Sequence, residues 1–195
     1  MPERAPAVRA SAVRDTLAFL DKFEPGARER VLARVPAASR DLIENTARSY
    51  WVPIEHDHYT VDAMVAMWGV ERSIQCWRGA MANLVERPLL KSFVSGMVGL
   101  FGSDPRRVLG LLPRGWPLVY RDMTLPRVAE SRPGRLVIAF EDAPELLRVH
   151  SNYFHSFHGA CLGIADIARL DGQVDFAVTR QRTAATATFS WAEPQ

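Results

Sequence analysis

Apolar residues recur at helical spacing through the first half of the chain and switch to alternation near its end. Val13, Leu17 and Leu20 share one face of a helix over residues 8–23, which Pro25 and Gly26 interrupt. A second short helix over 27–35 stops at Pro36, and a third is predicted over 37–48. After Tyr50 and Trp51 the segment 52–59 reads as a connection, with Thr60 as the N-cap of a helix reaching Trp68. Ile74, Trp77, Met81, Leu84 and Val85 recur at three and four, as do Leu90, Phe93, Val94, Met97 and Phe101, with Pro88 between the two series. They predict two core helices over 71–101.

From Trp116 onward the pattern turns to short strands: 117–123, 125–130 and 135–140, with Ser131-Arg-Pro-Gly134 as a turn, after one helical turn at 109–112. A long helix over 144–170 follows, opened by Asp142 and Glu145 in capping-box spacing and stopped by Asp171-Gly172. Residues 174–179 and 186–191 alternate and are rich in β-branched and aromatic side chains, which predicts a closing hairpin. The fold class is α+β: a helical N-terminal half on a small, largely antiparallel sheet, with one long C-terminal helix and a terminal hairpin.

A chain of 195 residues that is 48% apolar buries one core without disulfides or metals, so a single domain over 1–195 is expected, with 1–7 flexible. There is no uninterrupted apolar run of membrane-spanning length, and the arginines of the first fifteen residues lack the apolar stretch of a secretion signal. Cys76 and Cys161 have no metal-ribbon spacing and read as packed thiols. A cytoplasmic protein is therefore expected. Its 24 basic and 22 acidic residues, net +2, are spread along the chain, so a phosphate-backbone partner is not expected.

Trp51-Val-Pro53, Leu111-Leu-Pro113 with Trp116, Tyr153-Phe-x-x-Phe157-x-Gly159-Ala-x-x-Gly163, Gly172 and Phe189-Ser-Trp191 together resemble the DUF2378 family of myxobacterial proteins. More distantly, the order of elements is similar to the superfamily of haem-nitric-oxide-binding domains, 4-vinyl-reductase-like small-molecule domains and Bet3-type trafficking subunits. That resemblance implies a ligand-binding or sensory fold, and pairing through helices. The haem-binding members carry a proximal histidine in the central region and a Tyr-x-Ser-x-Arg element near the long helix. Residues 102–149 hold no histidine, and the segment before the helix reads Ile138-Ala-Phe140-Glu-Asp142. Haem is not expected, and no other cofactor is implied.

Chemistry has few other candidates. His150, Tyr153, Phe157 and Cys161 share one stripe of the long helix, and His150 faces the predicted core. His155, His158 and Cys161 are rotated by about 60° per step, converge poorly on a metal, and leave the two histidines on the surface. Glu55-His56-Asp57-His58 reads as an extended polar loop in which His56 and His58 share a side. Glu141, Asp142 and Glu145 are accounted for by a helix start. Gly159 and Gly163 read as a close helix contact, and nothing forms a nucleophile elbow.

Two functions follow as expectations. One is a non-enzymatic binding or sensory domain for an apolar small molecule, with a pocket lined by Trp116, Tyr120, His150, Phe154, Phe157 and Cys161. The same aromatics also suit a filled core. The other is a scaffolding module, a homo-oligomer or a protein partner's platform, that associates through the helices of 74–101.

Overall fold

The computed structural model describes residues 5–85 and 105–192. The architecture is α+β. Residues Ala7–Arg9 form strand β1, which runs into helix α1 (Ala10–Phe23). Val13, Leu17 and Leu20 are buried on one face of α1, as their spacing predicts. Helices α2 (Ala27–Leu32) and α3 (Ala37–Asn45) follow, each shorter than the sequence pattern suggests.

Strand β2 (Trp51–Pro53) and helix α4 (Ile54–Val85) replace the connection expected over 52–59. Ile54, Val61 and Met64 are buried, so the helical stripe begins immediately after Pro53. Thr60 therefore lies inside a helix and caps nothing. Gly69, at φ 74°, breaks the helical geometry and kinks α4 near the residue expected to end it. The predicted series from Leu90 to Phe101 lies outside the described residues.

Helices α5 (Pro105–Leu109) and α6 (Leu112–Val119) lead to strand β3, which is only Tyr120–Arg121. The strand expected over 117–123 is thus mostly helix. Trp116 is buried from α6, and Pro117 is accommodated within that helix. The β-like run of Leu118, Val119 and Tyr120 finds a ladder partner only at its end, where Val8 of β1 pairs with Tyr120 on one side and Val52 on the other.

A four-stranded antiparallel sheet has the order β4-β5-β7-β6, from β4 (Leu125–Arg132), β5 (Arg135–Glu141), β6 (Gly172–Val178) and β7 (Ala185–Trp191). Leu136, Ile138 and Phe140 on β5 and Ala185, Ala187 and Phe189 on β7 form its buried face. The turn at Gly134 and the closing hairpin are where the alternation puts them.

The expected long helix is two: α7 (Glu145–Val149) and α8 (Tyr153–Ile167). His150 leaves helical geometry at φ −96°, ψ 62°. The capping box does not form either, because Asp142 takes a positive φ of 55° and Pro144 occupies the cap without a side-chain bond. Helix α8 packs between α4 and the sheet, and its glycines set the distance. A Cβ on Gly159 would lie 2.6 Å from the Ile74 carbonyl oxygen, and one on Gly163 2.6 Å from that of Arg78. This is the close contact expected of them. Among the described residues no helix is long and apolar enough to cross a membrane.

Candidate functional site

The first two turns of α4 face inward with polar side chains among apolar ones. Asp57 and His58 are buried, and the segment predicted as an extended loop is therefore helix with two titratable groups pointing into the protein. His56 and His58 do not share a side: His56 Nδ1 lies 3.0 Å from the Ser39 hydroxyl, whereas His58 Nδ1 lies 3.1 Å from Asp62 Oδ2, one turn further along α4.

Asp57 is the most unusual group. It accepts a hydrogen bond of 2.6 Å from the Tyr153 hydroxyl at the start of α8. Burial disfavours its charge and pushes its carboxyl up to about 6, with the Tyr153 bond acting in the opposite direction. Burial, reinforced by Asp57, raises the phenols of Tyr120 and Tyr153, so both stay neutral at physiological pH.

These three groups surround a cavity of about 80 Å³ between α1, α4, α8 and the small β1-β2-β3 sheet. Val13, Met64, Trp77 and Val119 contribute apolar wall, and Thr60 contributes a hydroxyl. That hydroxyl is buried without a hydrogen-bond partner in the structure. A buried polar atom of this kind has an unmet requirement that a molecule in the cavity would satisfy.

The residues expected to line a pocket divide into three groups. Tyr120 lines the cavity. Trp116, Phe154 and Phe157 are buried in a continuous aromatic cluster with it and with Phe140: Trp116 and Tyr120 centroids lie 4.3 Å apart, Trp116 and Phe157 4.9 Å, Phe154 and Phe157 6.0 Å. Cys161 is buried one turn beyond Phe157, and burial pushes its thiol up to about 12. Cys76 is likewise a buried free thiol. His150 stands apart at the α7–α8 corner, with its side chain 31% exposed, its ring stacked on His58 at 3.6 Å, and its Nδ1 3.5 Å from Asp62 Oδ2. It does not face the core as its helical angle suggested, because the helix breaks at that residue.

His155 and His158 are partly buried rather than on the surface, and burial lowers both. His158 stacks on Phe176 at 5.3 Å. Neither joins Cys161 in a ligand cluster among the described residues; the cluster that does form is His58, Asp62 and His150.

Sequence reading missed Asp57, Thr60, Asp62 and Tyr153 as site residues. The available signal was helical: Ile54, Val61 and Met64 at i, i+7 and i+10 place Asp57 on the same inward side.

No family model matches the chain, and no curated protein does. Solved structures do. An Fe(II) unliganded H-NOX protein from K. algicida superposes with TM-score 0.66 at 10% identity, over 95% of this chain and 97% of that one. An H-NOX protein from S. oneidensis in the Fe(II)NO state gives TM-score 0.63 at 10% identity, over 95% and 99%. An oxygen-binding H-NOX domain related to soluble guanylate cyclases gives 0.59 at 10% identity, over 95% and 96%.

Whether haem suits this interior is a question of space and donors. Pockets for organic ligands of larger size run to about 300–1,000 Å³, against about 80 Å³ here, and no histidine or cysteine is among the described lining residues. The neighbouring interior is filled by Trp116, Phe140, Phe154 and Phe157. This cavity, as its described residues line it, has neither the volume nor an imidazole or thiolate donor for haem. What the chain shares with these structures is the fold of an H-NOX domain, over nearly its whole length.

Proposed function

We propose that this chain is a non-enzymatic, small-molecule-binding sensory domain built on an H-NOX-type fold, and that its ligand is a small, mainly apolar molecule with one hydrogen-bonding group. The observation that carries this reading is the cavity in which the Asp57 carboxyl, the Tyr120 and Tyr153 phenols and the unpartnered Thr60 hydroxyl meet a wall that is apolar apart from Thr16 and Ser156. Its volume of about 80 Å³ is roughly half that of an engineered apolar cavity of about 150 Å³ that takes benzene, which suits a ligand of a few heavy atoms. In this reading Tyr120 meets the ligand, while Trp116, Phe154, Phe157 and Cys161 form the layer behind it. Binding becomes a signal because the cavity is assembled from separate elements. A ligand that hydrogen-bonds Asp57 competes with Tyr153 and so shifts α8 against α4.

No set of nucleophile, base and oxyanion donors converges on the cavity among its described lining residues, so binding rather than turnover is the reading. Two buried free thiols accord with a cytosolic setting. A haem-loaded state is the second reading, favoured by the structural neighbours, whose descriptions name Fe(II), NO and oxygen.

Thermal-shift measurements with a panel of small alcohols, ketones and haemin separate the two, using the wild-type chain and a variant, Ala160→Leu, in which a larger side chain replaces an α8 residue that lines the cavity. The proposal expects a small molecule to raise the wild-type melting temperature and to lose its effect in the variant. Stoichiometric haemin binding with a Soret band, and no small-molecule effect, would establish the second reading instead.

A further inference from the structure

Beyond the cavity, one cluster of side chains where the α7–α8 corner meets α4, buried at His58 and partly exposed at Asp62 and His150, has a donor set of its own. His58 and Asp62 lie one turn apart on α4, and His150 approaches them from the α7–α8 corner. The three donor atoms lie within 4.8 Å of one another. We propose that His58, Asp62 and His150 bind a divalent transition-metal ion of the zinc type, fastening the α7–α8 corner to α4.

Distances support the assignment. An ion about 2.0–2.2 Å from imidazole nitrogen and carboxylate oxygen in tetrahedral array leaves neighbouring ligand atoms about 3.3–3.5 Å apart. Asp62 Oδ2 lies 3.1 Å from His58 Nδ1 and 3.5 Å from His150 Nδ1, which brackets that edge length. The other carboxylate oxygen, Oδ1, accepts a hydrogen bond of 2.8 Å from Asn152 Nδ2. Such an outer partner fixes the carboxylate's orientation, as in carboxylates that ligate metals.

Access and stiffness are divided between the ligands. His58 is buried and held, with its side chain 6% exposed, whereas Asp62 and His150 are each about one-third exposed and leave room for solvent to complete the coordination shell. The two imidazoles are stacked at 24°. Their lone pairs meet at one ion only after one ring turns, and His150 is the ring free to do so, being partly exposed on a non-helical residue. Two imidazoles and one carboxylate favour zinc, cobalt or nickel over magnesium or calcium, which prefer all-oxygen sites.

The site and the cavity are adjacent in sequence, His58 beside Asp57 and Asn152 beside Tyr153. The metal proposal nevertheless stands without the sensory reading, because its donors do not line the cavity.

The test is calorimetric titration of the chelator-treated full chain with zinc chloride, repeated with cobalt chloride under visible absorption and with magnesium chloride. Expected are one zinc per chain, a cobalt spectrum of low coordination number, and no magnesium uptake. His150→Ala and Asp62→Asn should each weaken zinc binding at least tenfold, while circular dichroism confirms that both fold. Absence of stoichiometric zinc binding, or binding unchanged in both variants, would overturn the proposal and leave the cluster as two stacked imidazoles beside Asp62.

Discussion

Replacing Gly159 by alanine tests the contact on which the core depends. In an ordinary helix the change stabilises by about 0.8–1 kcal/mol, because glycine is the poorer helix former. Here the new methyl would sit 2.6 Å from the Ile74 carbonyl oxygen, 2.6 Å from Trp77 Cβ and 3.2 Å from the Arg78 nitrogen. Two of the three atoms are backbone and cannot swing away, so α8 must retreat from α4 by several tenths of an ångström. Overpacking of this kind costs about 1–3 kcal/mol or more. With the helical gain subtracted and the rigid neighbours placing the cost at the upper end, the net loss is about 1–2 kcal/mol. For a domain of this size that lowers the melting temperature by about 2–8 °C. Thermal unfolding followed by circular dichroism reads it directly, and Gly163→Ala should behave alike, since its methyl would meet the Arg78 carbonyl at 2.6 Å. An alanine variant as stable as wild type, or more so, would refute the close approach of the two helices.

Further expectations concern charge and packing. Asp57 has its carboxyl raised from 3.8 to about 6, so its protonated form is favoured by folding. Its contribution is fully present below about pH 3.8 and is lost as pH rises through about 6, amounting to roughly 3 kcal/mol at about 1.4 kcal/mol per unit. Asp57→Asn should therefore gain stability relative to wild type as pH rises from 4 to 7, and a pH-independent difference in urea unfolding would contradict this. Trp116→Ala removes a buried indole packed on Tyr120, Phe140 and Phe157, and should cost about 3–5 kcal/mol by the same assay. Arg78 and Asp166 form a two-pronged ion pair at 2.6 Å, but both side chains are more than 40% exposed. Arg78→Ala should cost less than about 1 kcal/mol, and a larger loss in urea unfolding would show that the pair is not screened by solvent.

The legible parts of the fold were those whose signal is local. Leu136, Ile138 and Phe140 alternate on β5, Val13, Leu17 and Leu20 repeat on α1, and Gly159 and Gly163 lie one turn apart on α8. The start of α4 was obscured because Pro53 and the charged run Glu55-His-Asp-His58 resemble a loop, while the apolar stripe that identifies the helix only becomes dense after Val61. The break at His150 carries no glycine or proline, only Ser151 and Asn152, both weak helix formers. There the chain turns where Tyr153 reaches Asp57, a bond between residues 96 positions apart. The site was hidden for the same reason. Asp57 with Tyr153, and Asp62 with Asn152, are pairs made by the packing of α8 on α4, and no spacing along the chain announces them. Aromatic type identified Trp116, Phe154 and Phe157 as a group but did not distinguish a wall from a filled core.

The central claim is that the folded chain holds a small molecule. Native mass spectrometry of the protein purified from its native host, beside a denatured sample of the same preparation, tests it most directly. The account predicts a reproducible small added mass that disappears on denaturation and is absent from the Ala160→Leu variant. A bare chain mass in a defined dimer would contradict it in favour of an association module, and an added mass equal to that of haem would contradict the size of ligand assigned to the cavity.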